Sequence, residues 1–307
     1  MEFKNLKQLM TYLKDDNLCR EYYAQLRWGG NPVCPHCDRS NPYKLKSGKY
    51  RCSSKTCKKD FSVTKGTIFE KSHIPLSTWM GAMWLITGHK KGISSHQLAK
   101  DMGCTQKTAW FILHRIRHIV GEDDPQPMEN IVEIDETYVG GHFGLMNRKR
   151  RKKHQELNTN NKTAVMGFLE RDGKARLTVI GANSFKEQVR ENVKPDALLI
   201  TDTHLAYQGL SFEYAGHATV NHTRGQYRDG IAYTNGVEGF FSCLKRSIIG
   251  IYHQVSPKHL QKYCEETSYR YNTRKATDKE RFINTMQIAE GKRLTYKTLI
   301  QKEQKNP

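Results

Sequence analysis

Three acidic side chains stand in contexts where an acid has work to do. Asp135 lies in Ile131-Val-Glu-Ile-Asp135-Glu-Thr-Tyr-Val139. That run is β-rich, and strand alternation puts Asp135 on one face with Glu133 and Thr137. Asp202 ends Ala197-Leu-Leu-Ile-Thr201-Asp202. An apolar run of this kind suits a buried parallel strand, and the C-terminal ends of such strands are where α/β sheets place ligands. Glu238 lies in Thr234-Asn-Gly-Val-Glu238-Gly-Phe-Phe-Ser-Cys-Leu-Lys245-Arg246. The pattern predicts a helix capped by Thr234, with Val237, Phe240, Phe241, Leu244 and Ile248 as its buried stripe. Lys245, seven residues after Glu238, falls on the same side two turns later. Two strands and a helix can converge three carboxylates on one point.

Carboxylate oxygens suit hard divalent cations. Two such ions about 4 Å apart can activate a nucleophile and stabilise the leaving oxygen in an in-line attack on a phosphodiester. The expected ligands of two catalytic Mg2+ ions, for which Mn2+ can substitute, are therefore Asp135, Asp202 and Glu238. Lys245 would bind substrate phosphate rather than metal. Taken singly, each acid is more often a cap or a solvated residue. Glu133 and Glu136 beside Asp135, and Glu213 between the second and third acids, remain alternatives. His222 could approach the site or serve as a hydrogen-bonded loop histidine.

A second constellation is made of cysteines. Cys34-Pro-His-Cys37 is followed after fourteen residues by Cys52-x4-Cys57. Two close pairs of thiolates supply the tetrahedron that Zn2+ prefers, with no position left open, so the expected zinc is structural. The stretch between them reads as a hairpin turning at Ser47-Gly48. Lys44, Lys46, Lys49 and Arg51 line it, either as phosphate contacts or as a solvated basic face. Cys19, Cys104, Cys243 and Cys264 are scattered and read as small buried side chains.

The whole chain supports a polyanionic partner. Its 307 residues carry 50 Lys and Arg against 31 Asp and Glu, a formal net charge of +19, which points to nucleic acid. No apolar segment reaches the length of a membrane span; the Trp79–Thr87 run suits a buried helix. The N-terminus lacks the apolar core of a signal peptide, so the expected compartment is the cytoplasm. Within Ile93–Val120, Ser94 or Ser95 can cap a helix that Gly103 ends, and Thr105 can cap the next. Ala109, Ile112, Leu113, Ile116 and Val120 form the apolar stripe of that second helix. Its other face offers Gln106, Lys107, Thr108, Phe111, Arg115 and His118. A helix-turn-helix would set Gln106, Lys107 and Thr108 against base edges and Arg115 against phosphate; the alternative is a plain helical hairpin.

Read together, these blocks resemble the bacterial insertion-sequence transposases that combine a zinc ribbon, a helix-turn-helix and a DDE catalytic domain, the ISXO-like group. The resemblance rests on Arg27-Trp-Gly-Gly30 before the first cysteine pair and Phe61-Ser-Val-Thr-Lys-Gly-Thr-Ile-Phe69 after the second. It rests further on Ile134-Asp135-Glu-Thr-Tyr-Val-Gly-Gly141, Thr201-Asp202-Thr203, Asn235 to Arg246, and Arg270-Tyr-Asn-Thr-Arg274. Asp202 and Glu238 are separated by thirty-five residues, and Lys245 matches the basic position seven after the acid.

The resemblance implies an α/β multidomain protein: an N-terminal helix and zinc ribbon over 1–73, a helix-turn-helix domain over 74–121, a linker over 122–130, a ribonuclease-H-like catalytic domain over 131–290 and a tail over 291–307. Strands are expected at 131–139, 164–170, 175–181 and 197–202, with a helix near 184–192. The insert after the first strand carries six consecutive basic residues, among them Arg148, Lys149, Arg150 and Arg151. They read as a loop gripping DNA phosphates, or else as a solubilising loop. The implied activity is binding of terminal inverted repeats, then cleavage and strand transfer into target DNA by a homo-oligomer, at least a dimer, in the bacterial cytoplasm at the nucleoid. A non-catalytic DNA-binding regulator and a nuclease on the same fold are the alternatives.

Overall fold

The computed structural model of the chain describes residues 3–121, 125–141, 148, 152, 162–180, 185–221, 228 and 230–301. Several of its helices begin where short polar side chains replace the missing backbone partners of a first turn. Asn5 accepts from the Gln8 N–H at α1 (Leu6–Tyr12), and Asp15 accepts from Asn17 at α2 (Asp16–Trp28), which stops at Gly29 with φ 55°. The ribbon follows as three two-residue strands in antiparallel order: β1 (Tyr43–Lys44), β2 (Tyr50–Arg51) and β3 (Asp60–Phe61). The β1–β2 turn falls at Ser47-Gly48 as expected, with Gly48 at φ 75°.

α3 (Leu76–Gly88) is buried from Trp79 to Thr87, which accounts for its uniform apolarity. α4 (Ser95–Met102) is capped by Ser94 and ended by Gly103 at φ 62°; α5 (Gln106–Val120) follows.

The chain forms two compact units, Met1–Val120 with Lys275–Pro307, and Gly121–Arg274. This partition differs from the expected one in two ways. The ribbon zone and the helical zone share a single core, in which Tyr23, Val63 and Phe69 pack with Trp79, Ile112 and Ile116. Two C-terminal helices, Asp278–Gln287 and Tyr296–Ile300, belong to that core through Phe282, Met286 and Leu299, with Leu294 between the helices. An amphipathic stripe announces a helix but does not say which core receives it.

The second unit is built on a five-stranded mixed sheet of order β6-β5-β4-β7-β8. Its strands are β4 (Ile131–Gly140), β5 (Lys162–Glu170), β6 (Ala175–Val179), β7 (Leu198–Asp202) and β8 (Gly216–Val220). β5 runs antiparallel to β4 and β6, whereas β4, β7 and β8 are parallel. α6 (Phe185–Asn192) covers one face, with Val189 against Val132, Ile134, Phe168 and Leu199. α7 (Asn235–Ser247) and α8 (Pro257–Asn272) cover the other, with Val237, Phe241 and Leu260 against Val165, Leu169 and Leu177. α8 also closes one edge of the sheet. Asn272, Ser268 and Gln261 accept from the N–H groups of Ala175, Leu177 and Val179 at 2.8, 3.1 and 2.8 Å, taking the place of a neighbouring strand.

Candidate functional site

Parallel pairing sets Ile131 beside Leu198, Val132 beside Leu199 and Glu133 beside Ile200. Carried two residues further, the same register sets Asp135 level with Asp202 at the C-terminal ends of adjacent strands. Side chains at equal height on neighbouring strands share a face, about 4.8 Å apart. Val132 and Ile134 point toward α6, so alternation turns Asp135 toward α7. Across β5 the partner of Asp135 is Gly167, where a Cβ would meet Phe241 and Val237 of α7 at 2.7 and 2.8 Å. The missing side chain lets α7 lie close to the sheet beside Asp135. Glu238 is in the first turn of α7, and Lys245 is exposed further along it.

Burial, together with the neighbouring Glu136, Asp202 and Glu238 carboxylates, pushes Asp135 up to about 7; the Glu136 N–H, which donates to Asp135 Oδ1 at 2.8 Å, acts the other way. Asp202 Oδ1 accepts from the His204 N–H at 3.0 Å, and Glu238 Oε1 accepts from the Thr234 hydroxyl at 3.2 Å. The three carboxylates are thus mutually repelling neighbours, although their oxygens do not all lie within 4.8 Å of one another. Hard oxygen donors carrying negative charge are the donor set that divalent cations fit.

The alternative acids are occupied. Both Glu133 oxygens are engaged, one by Arg171 Nε at 2.9 Å and the other by the Val237 N–H at 3.1 Å. Glu136 points to the α6 face and accepts from Tyr207 Oη at 2.7 Å. Glu213 pairs with Arg190 at 2.7 Å. His222 lies outside the described residues, as do Lys149, Arg150 and Arg151; Arg148 is exposed. Thr234 does not cap α7, contrary to expectation. Nothing in the local sequence announces Arg171 or Gly167; their roles exist only once β5 lies beneath α7.

The ribbon cysteines form the other candidate centre. Among the described residues, the sulfurs of Cys34, Cys37, Cys52 and Cys57 are the one group of potential ligands whose atoms all lie within 4.8 Å of each other. Cys34 and Cys57 sulfurs are 3.9 Å apart, and Cys37 and Cys52 3.4 Å. A zinc tetrahedron with bonds of about 2.3 Å has edges of about 3.8 Å, so the cluster fits a structural zinc. Tight knuckles gather the pairs. The Asp38 N–H donates to the Cys34 carbonyl at 2.9 Å with Asp38 at φ 54°, and the Lys58 N–H donates to the Ser54 carbonyl at 3.1 Å with Lys58 at φ 44°. Two of the flanking cations are already paired, Lys44 with Glu21 and Arg51 with Asp60.

On α5 the structure separates the expected nucleic-acid contacts. Gln106 and Lys107 are exposed and Thr108 half-buried at the start of the helix. Gln106 Nε2 donates to Ser95 Oγ at 2.8 Å, and Lys107 Nζ lies 5.1 Å from the Tyr296 ring centre. Arg115 departs from the expected phosphate role. It is 5% exposed, with its guanidinium 5.2 Å from the ring centres of both Trp79 and Phe111, and burial pushes it down to about 10. A planar guanidinium stacks on aromatic faces, so a position that reads as polar on a helical wheel can be core.

Comparison with known proteins matches residues 127–272 to the ISXO2-like transposase domain and residues 14–60 to a transposase zinc-ribbon domain. A protein of Halobacterium salinarum, described as an uncharacterized protein in transposable element ISH50, is 25% identical over 87% of this chain and 94% of its own length. An uncharacterized transposase-like protein of Haemophilus influenzae is 30% identical over 27% of this chain and 67% of its own length.

Proposed function

Because the chain belongs to the ISXO2-like transposase family, we propose that it binds the terminal inverted repeats of its element and there cleaves and joins DNA. What supports this reading is the parallel register of β4 and β7, which carried two residues further sets Asp135 level with Asp202, together with the repulsion that Asp202 and Glu238 exert on Asp135. The sheet order, with antiparallel strands on one side and parallel ones on the other and helices on both faces, supports a ribonuclease-H-like catalytic domain. α4, the Gly103 turn and α5 support a helix-turn-helix.

Asp135, Asp202 and Glu238 would hold two Mg2+ ions, or Mn2+ in their place, which when bound activate the attacking hydroxyl or water and stabilise the leaving oxygen. Gathering three acids around a half-buried Asp135 lowers the cost of cation binding, since the cations relieve a repulsion already built in. Thr234 orients Glu238 through its hydroxyl. Lys245, exposed further along the same helix, holds the substrate phosphate.

Register on DNA comes from the ribbon and from Gln106, Lys107 and Thr108 at the start of α5. The basic run Arg148, Lys149, Arg150 and Arg151 adds phosphate contacts outside the recognition helix. Holding two element ends requires a homo-oligomer, at least a dimer. Among the described residues no helix is long and apolar enough to cross a membrane, and the place of action is the bacterial nucleoid.

The test incubates purified protein with DNA carrying an element end and Mg2+, beside Asp202→Ala. Nicking at the element boundary by the wild type alone is expected. Specific binding without cleavage in Mg2+ or Mn2+ would move the protein to the class of DNA-binding regulators. Cleavage without preference for the element end would move it to the nucleases.

A further inference from the structure

The helix bearing Glu238 is held at its start by a residue from the sheet. The first-turn N–H of Val237, which an N-cap side chain would ordinarily take, donates instead to Glu133 Oε2 at 3.1 Å, across 104 positions of sequence. The other Glu133 oxygen accepts from Arg171 Nε at 2.9 Å. Arg171 Nη2 donates to the Tyr233 carbonyl at 3.1 Å, and its guanidinium lies 3.6 Å from the centre of the Tyr233 ring. Glu133 is 1% exposed. Gly236 leaves the room: a Cβ there would stand 2.6 Å from Glu133 Oε2.

Burying an ion pair seldom adds net stability over an apolar pair of the same volume. An apolar residue at Glu133 would also fit the strand's buried face. What an apolar residue could not do is fix the Tyr233–Val237 backbone by two hydrogen bonds of defined direction. Glu133 is two residues before Asp135 on the same face of β4, and Val237 immediately precedes Glu238.

We propose that Glu133 and Arg171 are positioning residues of the cation site: together they clamp the first turn of α7 to the strand that carries Asp135, and so fix Glu238 relative to Asp135 and Asp202. The inference rests on the reading of those three acids as cation ligands. Partners that orient a metal ligand characteristically change metal affinity by about 10- to 100-fold when removed.

The experiment titrates Mn2+ into zinc-loaded, full-length protein and follows the free ion by electron paramagnetic resonance, well below the unfolding temperature. Glu133→Gln keeps an acceptor for Val237 but breaks the ion pair. Arg171→Lys keeps the charge but cannot reach Glu133 and the Tyr233 carbonyl through one planar fork, and it guards against a failure of the first variant to fold. Leu177→Ala, in the same core but on β6, two strands from the one that carries Asp135, controls for lost stability alone. The Mn2+ dissociation constant is expected to rise about tenfold or more in Glu133→Gln and several-fold in Arg171→Lys, and to stay at the wild-type value in Leu177→Ala. Folded Glu133 and Arg171 variants that bind Mn2+ as tightly as wild type would overturn the clamp while leaving the cation site standing. Wild-type binding by Asp135→Ala would overturn the cation site and the clamp with it.

Discussion

The crowding of three carboxylates makes a thermodynamic prediction that needs no DNA: in protein free of Mg2+ and Mn2+, Asp135→Asn stabilises the second unit. The folded Asp135 carboxyl is pushed from its ordinary 3.8 up to about 7 by burial and by three neighbouring acids. At about 1.4 kcal/mol per pH unit, holding it ionised above that pH costs on the order of 4 kcal/mol. Asparagine keeps an oxygen for the Glu136 N–H but still buries a polar amide in place of the carboxyl, which returns roughly half of that gain. A net stabilisation of about 2 kcal/mol corresponds to a rise in Tm of roughly 4–8 °C for a unit of this size.

The folded carboxyl binds its proton more tightly than the unfolded one. The penalty is therefore absent below about pH 4, grows between about 4 and 7, and is complete above that range. Thermal unfolding by far-UV circular dichroism at pH 8 and pH 4.5 measures the gap. Tryptophan emission serves as an internal control, since Trp28, Trp79, Trp84 and Trp110 all belong to the first unit. Millimolar Mg2+ should reverse the order of the two proteins by stabilising only the wild type. An Asp135→Asn protein no more stable than wild type at pH 8, or an advantage that persists undiminished at pH 4.5, would refute the charge-crowding argument.

Four further outcomes are expected. Cys52→Ser should lose its zinc by atomic absorption and shift the emission of Trp28, whose ring lies 5.1 Å from Tyr50 and 6.4 Å from Phe61 in the ribbon; stoichiometric zinc in that variant would exclude the four-thiolate site. Arg115→Ala should lower the stability of the first unit by about 2–3 kcal/mol through lost stacking on Trp79 and Phe111, leaving the salt dependence of DNA binding unchanged below the melting temperature. Lys107→Ala should leave stability unchanged but weaken binding to the element end and relax its sequence preference. His217, whose Nε2 lies 2.9 Å from Thr201 Oγ1, is held below its ordinary 6.5 by burial. Its contribution to stability is full above 6.5 and is lost as the pH falls below it. Urea unfolding between pH 7.5 and 5 should show that loss in wild type and a flatter profile in His217→Gln.

What the sequence disclosed and what it withheld divide along a physical line. The zinc cluster, the β4 and β7 strands with their acids, the Gly103 break and the first turn of α5 are local patterns, and a few adjacent residues suffice to specify each. The roles of Glu133 and Arg115 are not local. Both are charged residues that a wheel or an alternation assigns to a polar face, and both are buried because a partner distant in sequence, Arg171 in one case and Trp79 in the other, reaches them. β8 escaped notice because an edge strand needs no strong apolar alternation. Thr234 has the chemistry of a cap, but that hydrogen bond went to Glu133 and its hydroxyl to Glu238.

The first unit is completed by the far end of the chain, where Phe282, Met286 and Ala289 are fully buried. A gene copy cut short after the second unit would still encode all four ribbon cysteines and both helices α4 and α5. Its product would nevertheless lack one wall of the core on which those helices rest. Such a remnant would expose apolar surface that the intact chain buries, and it is expected to unfold. Folding of the first unit thus depends on a segment that follows the second unit in the chain.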